Sequence, residues 1–197
     1  MSPAVFLEMT LTACITVWSP GPNNILLLSS ASKYGFKKNL PFMCGIWTGS
    51  LSLMNLSGIF CKTLASIVPG IQLVMKYVGG IYMLYLAYKT FQRLPPGEND
   101  AEKEPHYLMG FFLQLINVKI IIYGLTMFSS FILPHVSRLP LLLGFAFYLM
   151  ILGAIGNLIW AFAGNVLKIF YGKHYKGMNA VMALLLVWCA FRVVEIC

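Results

Sequence analysis

Hydropathy divides the chain into six apolar stretches, at 4–32, 40–61, 68–88, 107–132, 139–167 and 177–195. Each is about as long as the roughly 20 mainly apolar residues that a helix needs to cross a hydrocarbon core. The pattern predicts an all-α integral membrane protein with six transmembrane helices. Only the connection from Gln92 to His106 is long, and Pro95, Pro96, Gly97, Glu98, Asn99, Asp100, Glu102 and Glu104 cluster in it. It reads as a solvated cytoplasmic loop (about 93–106) inside one transmembrane domain, 1–197, separating a repeat of about 1–92 from one of about 107–197. Three crossings per half make the halves run in opposite directions, which is the inverted-repeat plan of many secondary transporters.

Polar residues interrupt the apolar pattern at two places. In the first stretch, Trp18-Ser19-Pro20-Gly21-Pro22-Asn23-Asn24 carries two prolines two residues apart. Each lacks an N–H and clashes with the carbonyl four residues back, so the helix must break. At membrane depth a break is tolerated only where it is buried in protein or lines a wet cavity, and transporters place binding sites at such discontinuities. Ser19, Pro20, Gly21, Pro22, Asn23 and Asn24 are therefore candidate substrate-binding positions.

The fourth stretch is interrupted by Gln114-Leu115-Ile116-Asn117-Val118-Lys119. Lys119 lies about a dozen residues from either end of its span, too deep to snorkel, and a charge at that depth normally faces a partner or a wet cavity. Two readings follow. Lys119 donates to carbonyls freed by the neighbouring broken helix, or it meets the carboxylate of a zwitterionic substrate, helped by the dipole of the half-helix that starts at Pro22. Asn117 and Asn157 join the candidate set, with Asn55 and Ser52 as more distant contacts. Each also has a plain reading as an interhelical hydrogen bond.

Composition narrows the class. Hydrophobic residues make up 59% of the chain and charged ones 10%, with a mean hydropathy of +0.78, as expected of a chain dissolved in lipid. The net charge of +8 is dispersed over several loops, which argues against nucleic acid as a partner. Nine basic residues (Lys33, Lys37, Lys38, Lys89, Arg93, Lys103, Lys168, Lys173, Lys176) follow odd-numbered helices, and four (Lys62, Lys76, Arg138, Arg192) fall on the other side. The positive-inside rule puts the first set in the cytoplasm and both termini outside.

Gly45-Ile46-Trp47-Thr48-Gly49 has the small-x-x-x-small spacing that lets helix backbones approach, within one chain or in a homo-oligomer. The five cysteines, Cys14, Cys44, Cys61, Cys189 and Cys197, form no C-x-x-C pair and read as small buried hydrophobes. Leu11-Thr12-Ala13-Cys14 looks like a lipoprotein cleavage site, but no basic residue precedes it.

There is no Walker loop, no metal-spaced His and Cys set and no Ser, His and Asp combination at depth. Neither an enzyme nor a metal or cofactor site is expected. His106, His135 and His174 all fall in predicted loops. Proton coupling is left to Glu8 or to a Lys119 whose charge is disfavoured by desolvation. A lysine cargo is less attractive than a neutral one because no buried carboxylate is visible, although a cage of backbone carbonyls at a helix break could also hold an ammonium group. A membrane-embedded redox enzyme and an assembly subunit are the readings from other classes.

At Ser19-Pro20-Gly21-Pro22-Asn23-Asn24, at Lys33 to Lys38 with Gly35 and Phe36, and at Gly45 to Gly49, the chain resembles the LysE/RhtB exporters of bacteria. The resemblance extends over essentially the whole chain and implies efflux of amino acids across the inner membrane, with the lipid bilayer and a small amino acid as partners. The family more often has Asn-Pro-Lys where this chain has Asn117-Val118-Lys119, which removes the second proline and weakens the case for two symmetric breaks. The stretch from Gln114 to Gly124, Gly156-Asn157 and Ala183 to Ala190 are similar to a branch whose cargo is cysteine and O-acetylserine. Homoserine or threonine export is the alternative.

Overall fold

The computed structural model describes residues 1–92 and 105–196, with side chains at 62–76, 172–173 and 192–196 excluded. Most of the predicted acidic loop, including Arg93, Lys103 and its four carboxylates, thus lies outside the described residues. So do Cys197 and the side chains of Lys62, Lys76, Lys173, Arg192 and Glu195.

The described chain is almost entirely helical. Helix α1 (Pro3–Trp18) and helix α2 (Pro22–Tyr34) meet at 49°, and α3 (Phe36–Phe91) follows. Helix α4 (Tyr107–Leu115) and helix α5 (Val118–Thr126), which runs on into a π-helical segment at Met127–Ile132, meet at 61°. Helix α6 (Leu139–Ile196) completes the chain. One bent pair and one long helix thus occur in each half.

Both long helices double back. Helix α3 leaves helical geometry at Phe60 (φ −111°, ψ 22°) and α6 at His174 (φ −123°, ψ 23°). A straight helix would hold Gly49 and Gly79 about 45 Å apart at 1.5 Å per residue. Yet a side chain on Gly49 would meet Gln114, and one on Gly79 would meet Ile116 and Val118. In α6, likewise, Asn157 and Cys189 line two cavities that share Lys119.

By length and apolar character, one unbroken helix among the described residues can cross a membrane, Leu139–Tyr171, with a mean hydropathy of 2.2. Each bent pair meets the same test when taken as one span, which makes up to three. The exterior supports immersion in lipid. Ile15, Ile81, Ile169 and Leu184 are all at least two-thirds exposed, whereas Asn23, Asn24, Gln114, Asn117 and Asn157 are buried. An apolar surface around a polar interior inverts the arrangement that water selects.

Two apolar clusters hold the bundle. One joins Ile25 to Leu27 of α2 with Phe42 and Ile46 of α3 and with Met182 and Leu186 of α6. The other joins Met9 and Ala13 of α1 with Met127 and Phe128 and with Leu149 of α6. Helices α3 and α4 pack backbone to backbone: a side chain on Gly45 would strike Tyr107, and one on Gly110 would strike Phe42 and Ile46. The small-residue motif is thus used within the chain.

Candidate functional site

The first break is held open by side chains. Ser19 (φ −62°, ψ 154°) and Gly21 (φ −170°, ψ 174°) are extended, and Pro22 begins α2, where its missing N–H is not needed. The carbonyls that α1 leaves without helical partners are taken up individually. Asn24 donates through Nδ2 to the Val17 and Ser19 carbonyls at 2.9 Å each, and the Trp160 indole donates to the Trp18 carbonyl at 3.0 Å. Asn157 orients Asn24 by donating to its Oδ1 at 2.9 Å. The Trp18 ring lies over Gly156, with its indole N–H on the Leu152 carbonyl.

The second break exists without a proline. Asn117 (φ −83°, ψ 91°) leaves helical geometry, while its carbonyl starts the next helix by accepting from Ile120 at 3.0 Å and Ile121 at 3.2 Å. Contacts to α2 supply what proline does elsewhere. Asn23 and Gln114 pair amide to amide, at 2.9 Å and 3.2 Å, and Asn117 donates to Asn23 Oδ1 at 3.0 Å. Ser50 adds a bond to Gln114 Oε1. The weakened case for two discontinuities, made from the absent proline, is therefore corrected: both are present, joined through Asn23.

Lys119 reaches back across the gap to the first break. Its Nζ donates to the Ser19 hydroxyl at 2.8 Å, the Ser19 carbonyl at 3.2 Å and the Pro20 carbonyl at 3.3 Å. A side chain on Gly21 would meet Lys119 Nζ at 3.0 Å, so this glycine allows the close approach.

All nine predicted binding residues gather here. Gly21, Pro22, Asn23, Asn24, Asn117, Lys119 and Asn157 line a cavity of about 30 Å³, enough to hold ordered water. Ser19 and Pro20 line a neighbouring groove of about 470 Å³ between α1, α5 and the end of α6. Gly21, Pro22, Lys119 and Tyr123 form the wall common to both. The N-termini of α2 and α5 both adjoin the small cavity, and such ends favour negative charge.

Glu8 is not part of this assembly, since its side chain is exposed on α1. Ser52 donates to the Thr48 carbonyl within its own helix, and neither it nor Asn55 lines these cavities. Tyr123 and Trp47 went unnoticed in the sequence. Both line the small cavity, and Tyr123 Oη, Trp47 Nε1 and Asn117 Oδ1 are buried without a hydrogen-bond partner among the described residues. Native structures rarely leave such groups unpaired, so three of them around one cavity mark a place built for something polar. The available signal was spacing, because Tyr123 lies one helical turn after Lys119.

The cysteine/O-acetylserine efflux proteins of Salmonella typhimurium and Escherichia coli K12 are each 36% identical to this chain, over 193 and 194 residues, covering 98% of it and 99% of their own length. No solved structure matches. The profile of the LysE type translocators matches residues 14–195, and the chain belongs to that family.

Proposed function

We propose that this chain is a secondary-active exporter of small neutral amino acids in the bacterial inner membrane, with cysteine and O-acetylserine as its cargo. The observation that carries the reading is the meeting of two helix breaks and one lysine at a single polar cavity. The positive ends of α2 and α5 and the Lys119 ammonium favour the cargo carboxylate there. Among the described residues no carboxylate lines either cavity to favour a cationic side chain, and the relatives named above are efflux proteins for these two compounds.

In this reading the chain crosses the membrane six times. The bent pairs are the first and fourth spans, and α3 and α6 each supply two. The two halves form inverted repeats that rock about the site, and both termini are periplasmic. Glu8 and Lys119 are the groups proposed to exchange the coupling proton. Homoserine or threonine is the alternative cargo.

The test is release of labelled cysteine, O-acetylserine, homoserine and lysine from liposomes holding the purified protein, with and without a pH gradient. Gradient-sensitive release of the first two is expected. In the Lys119→Met variant, release should fall to the level of empty liposomes while the protein still inserts. Wild-type release by that variant would remove Lys119 from the mechanism, and no release of any amino acid by folded wild-type protein would remove the exporter reading.

A further inference from the structure

Lys119 is not aimed at an anion. Its ammonium sits between two backbone carbonyls and a hydroxyl, those of Ser19 and Pro20. The two carbonyls precede the cap of α2 and lie outside the hydrogen-bond ladders of both half-helices, so they are left to accept from side chains. Two carbonyl oxygens and a hydroxyl around one cation suit any primary ammonium, including that of an amino acid. The chain fills this site with its own lysine.

A second observation comes from the same groove. Tyr123 is only 4% exposed, and its hydroxyl has no hydrogen-bond partner among the described residues. It lines the 470 Å³ groove together with Ser19, Pro20 and Lys119. One turn beyond Lys119 on α5, it stands on the same face of the helix. A lysine and a buried hydroxyl on one face of α5 supply donors, and the Ser19 and Pro20 carbonyls beside them supply acceptors. The α-carbon of an amino acid carries that same pair of groups, ammonium and carboxylate.

We propose that the cargo binds by exchange: its ammonium takes the Ser19 and Pro20 carbonyls from Lys119, and the displaced lysine, with the Tyr123 hydroxyl, takes its carboxylate. Lys119 is thus a built-in occupant that stands in for the ammonium until cargo arrives. Because Lys119 and Tyr123 belong to the wall between groove and small cavity, the exchange also moves that wall. Cargo must bring both charges, since an amine alone has to evict Lys119 with nothing to offer it. An acid alone leaves the lysine on its carbonyls. This inference rests on the exporter reading and adds to it the ammonium subsite and the role of Tyr123.

The experiment is calorimetric titration of detergent-purified protein with cysteine, with cysteamine, which keeps the ammonium and lacks the carboxylate, and with 3-mercaptopropionate, which lacks the ammonium. Wild type should bind cysteine, with the two fragments about tenfold weaker or more, as expected for loss of a charge-assisted contact. In Lys119→Met the Pro20 carbonyl is uncontested and the Ser19 carbonyl keeps only the Asn24 amide, so cysteamine should bind at least as well as cysteine and tighter than it does to wild type. Cysteamine no tighter on folded Lys119→Met than on wild type overturns the exchange. Tyr123→Phe provides an independent reading, in which cysteine should weaken about threefold to tenfold while cysteamine is unchanged. Equal effects on the two ligands, or none, overturn the role of Tyr123. Wild-type protein that binds neither cysteine nor O-acetylserine fails at the exporter reading itself, before either variant is compared.

Discussion

Asn23 is the residue on which the interior turns. It receives Nδ2 of Asn117 and Nε2 of Gln114 on one oxygen and donates to Gln114 in return. This pattern also fixes the Asn117 amide, because turning it over would set two oxygens against each other. Asn117 Oδ1, the buried acceptor without a partner, therefore faces away from Asn23. Replacing Asn23 by Leu strands a donor on each partner, while keeping the branching of the side chain at a larger volume. Bonds of this kind are worth about 1 kcal/mol each in membrane proteins, and stranded partners add to that. We expect Asn23→Leu to lose about 2 kcal/mol, read as a lowered midpoint of thermal unfolding in detergent, and to slow export. An unchanged midpoint would mean that the break is held by the backbone alone.

At the level of elements, the first break was legible because proline leaves a helix no choice. The second was hidden, since its geometry comes from contacts that join residues more than 90 positions apart and that no local pattern records. Asparagine competes with the helix for backbone bonds, but whether it wins depends on what lies opposite. Tyr123 was hidden for a similar reason: a tyrosine in an apolar span reads as packing until its hydroxyl is found alone. The glycines separate in the same way. A side chain on Gly45 meets the backbone of α4, whereas Gly144 has nothing within 4 Å. Gly45→Ala should destabilise the fold by about 1–3 kcal/mol through overpacking, and Gly144→Ala should be neutral or slightly stabilising by helix propensity. Thermal unfolding of the two variants side by side measures the difference, and equal effects would contradict the close α3–α4 packing.

For the whole molecule, hydropathy gave the helical class and the two polar interruptions, but only the first of them as a bent pair. It gave the return of α3 and α6 only as paired apolar stretches, because the turns at Phe60 and His174 each involve a single residue outside helical geometry. Charge gave an orientation that can be tested directly. In a background without native cysteines, Arg138→Cys should react with a membrane-impermeant maleimide on intact cells, and Lys37→Cys only after permeabilisation. The reverse pattern would invert the topology. Both residues are at or beside helix ends, where substitution disturbs little.

The bonds between the two bent pairs also bear on how the protein is made. Asn23 leaves the ribosome long before Gln114 and Asn117, so while the first half alone is in the membrane its amide has none of the partners it will keep. The translocon, a chaperone or trapped water must shelter it until the second bent pair arrives. The first half is therefore an unfinished piece during synthesis. The same amide that joins the two breaks makes maturation wait for the second half of the chain.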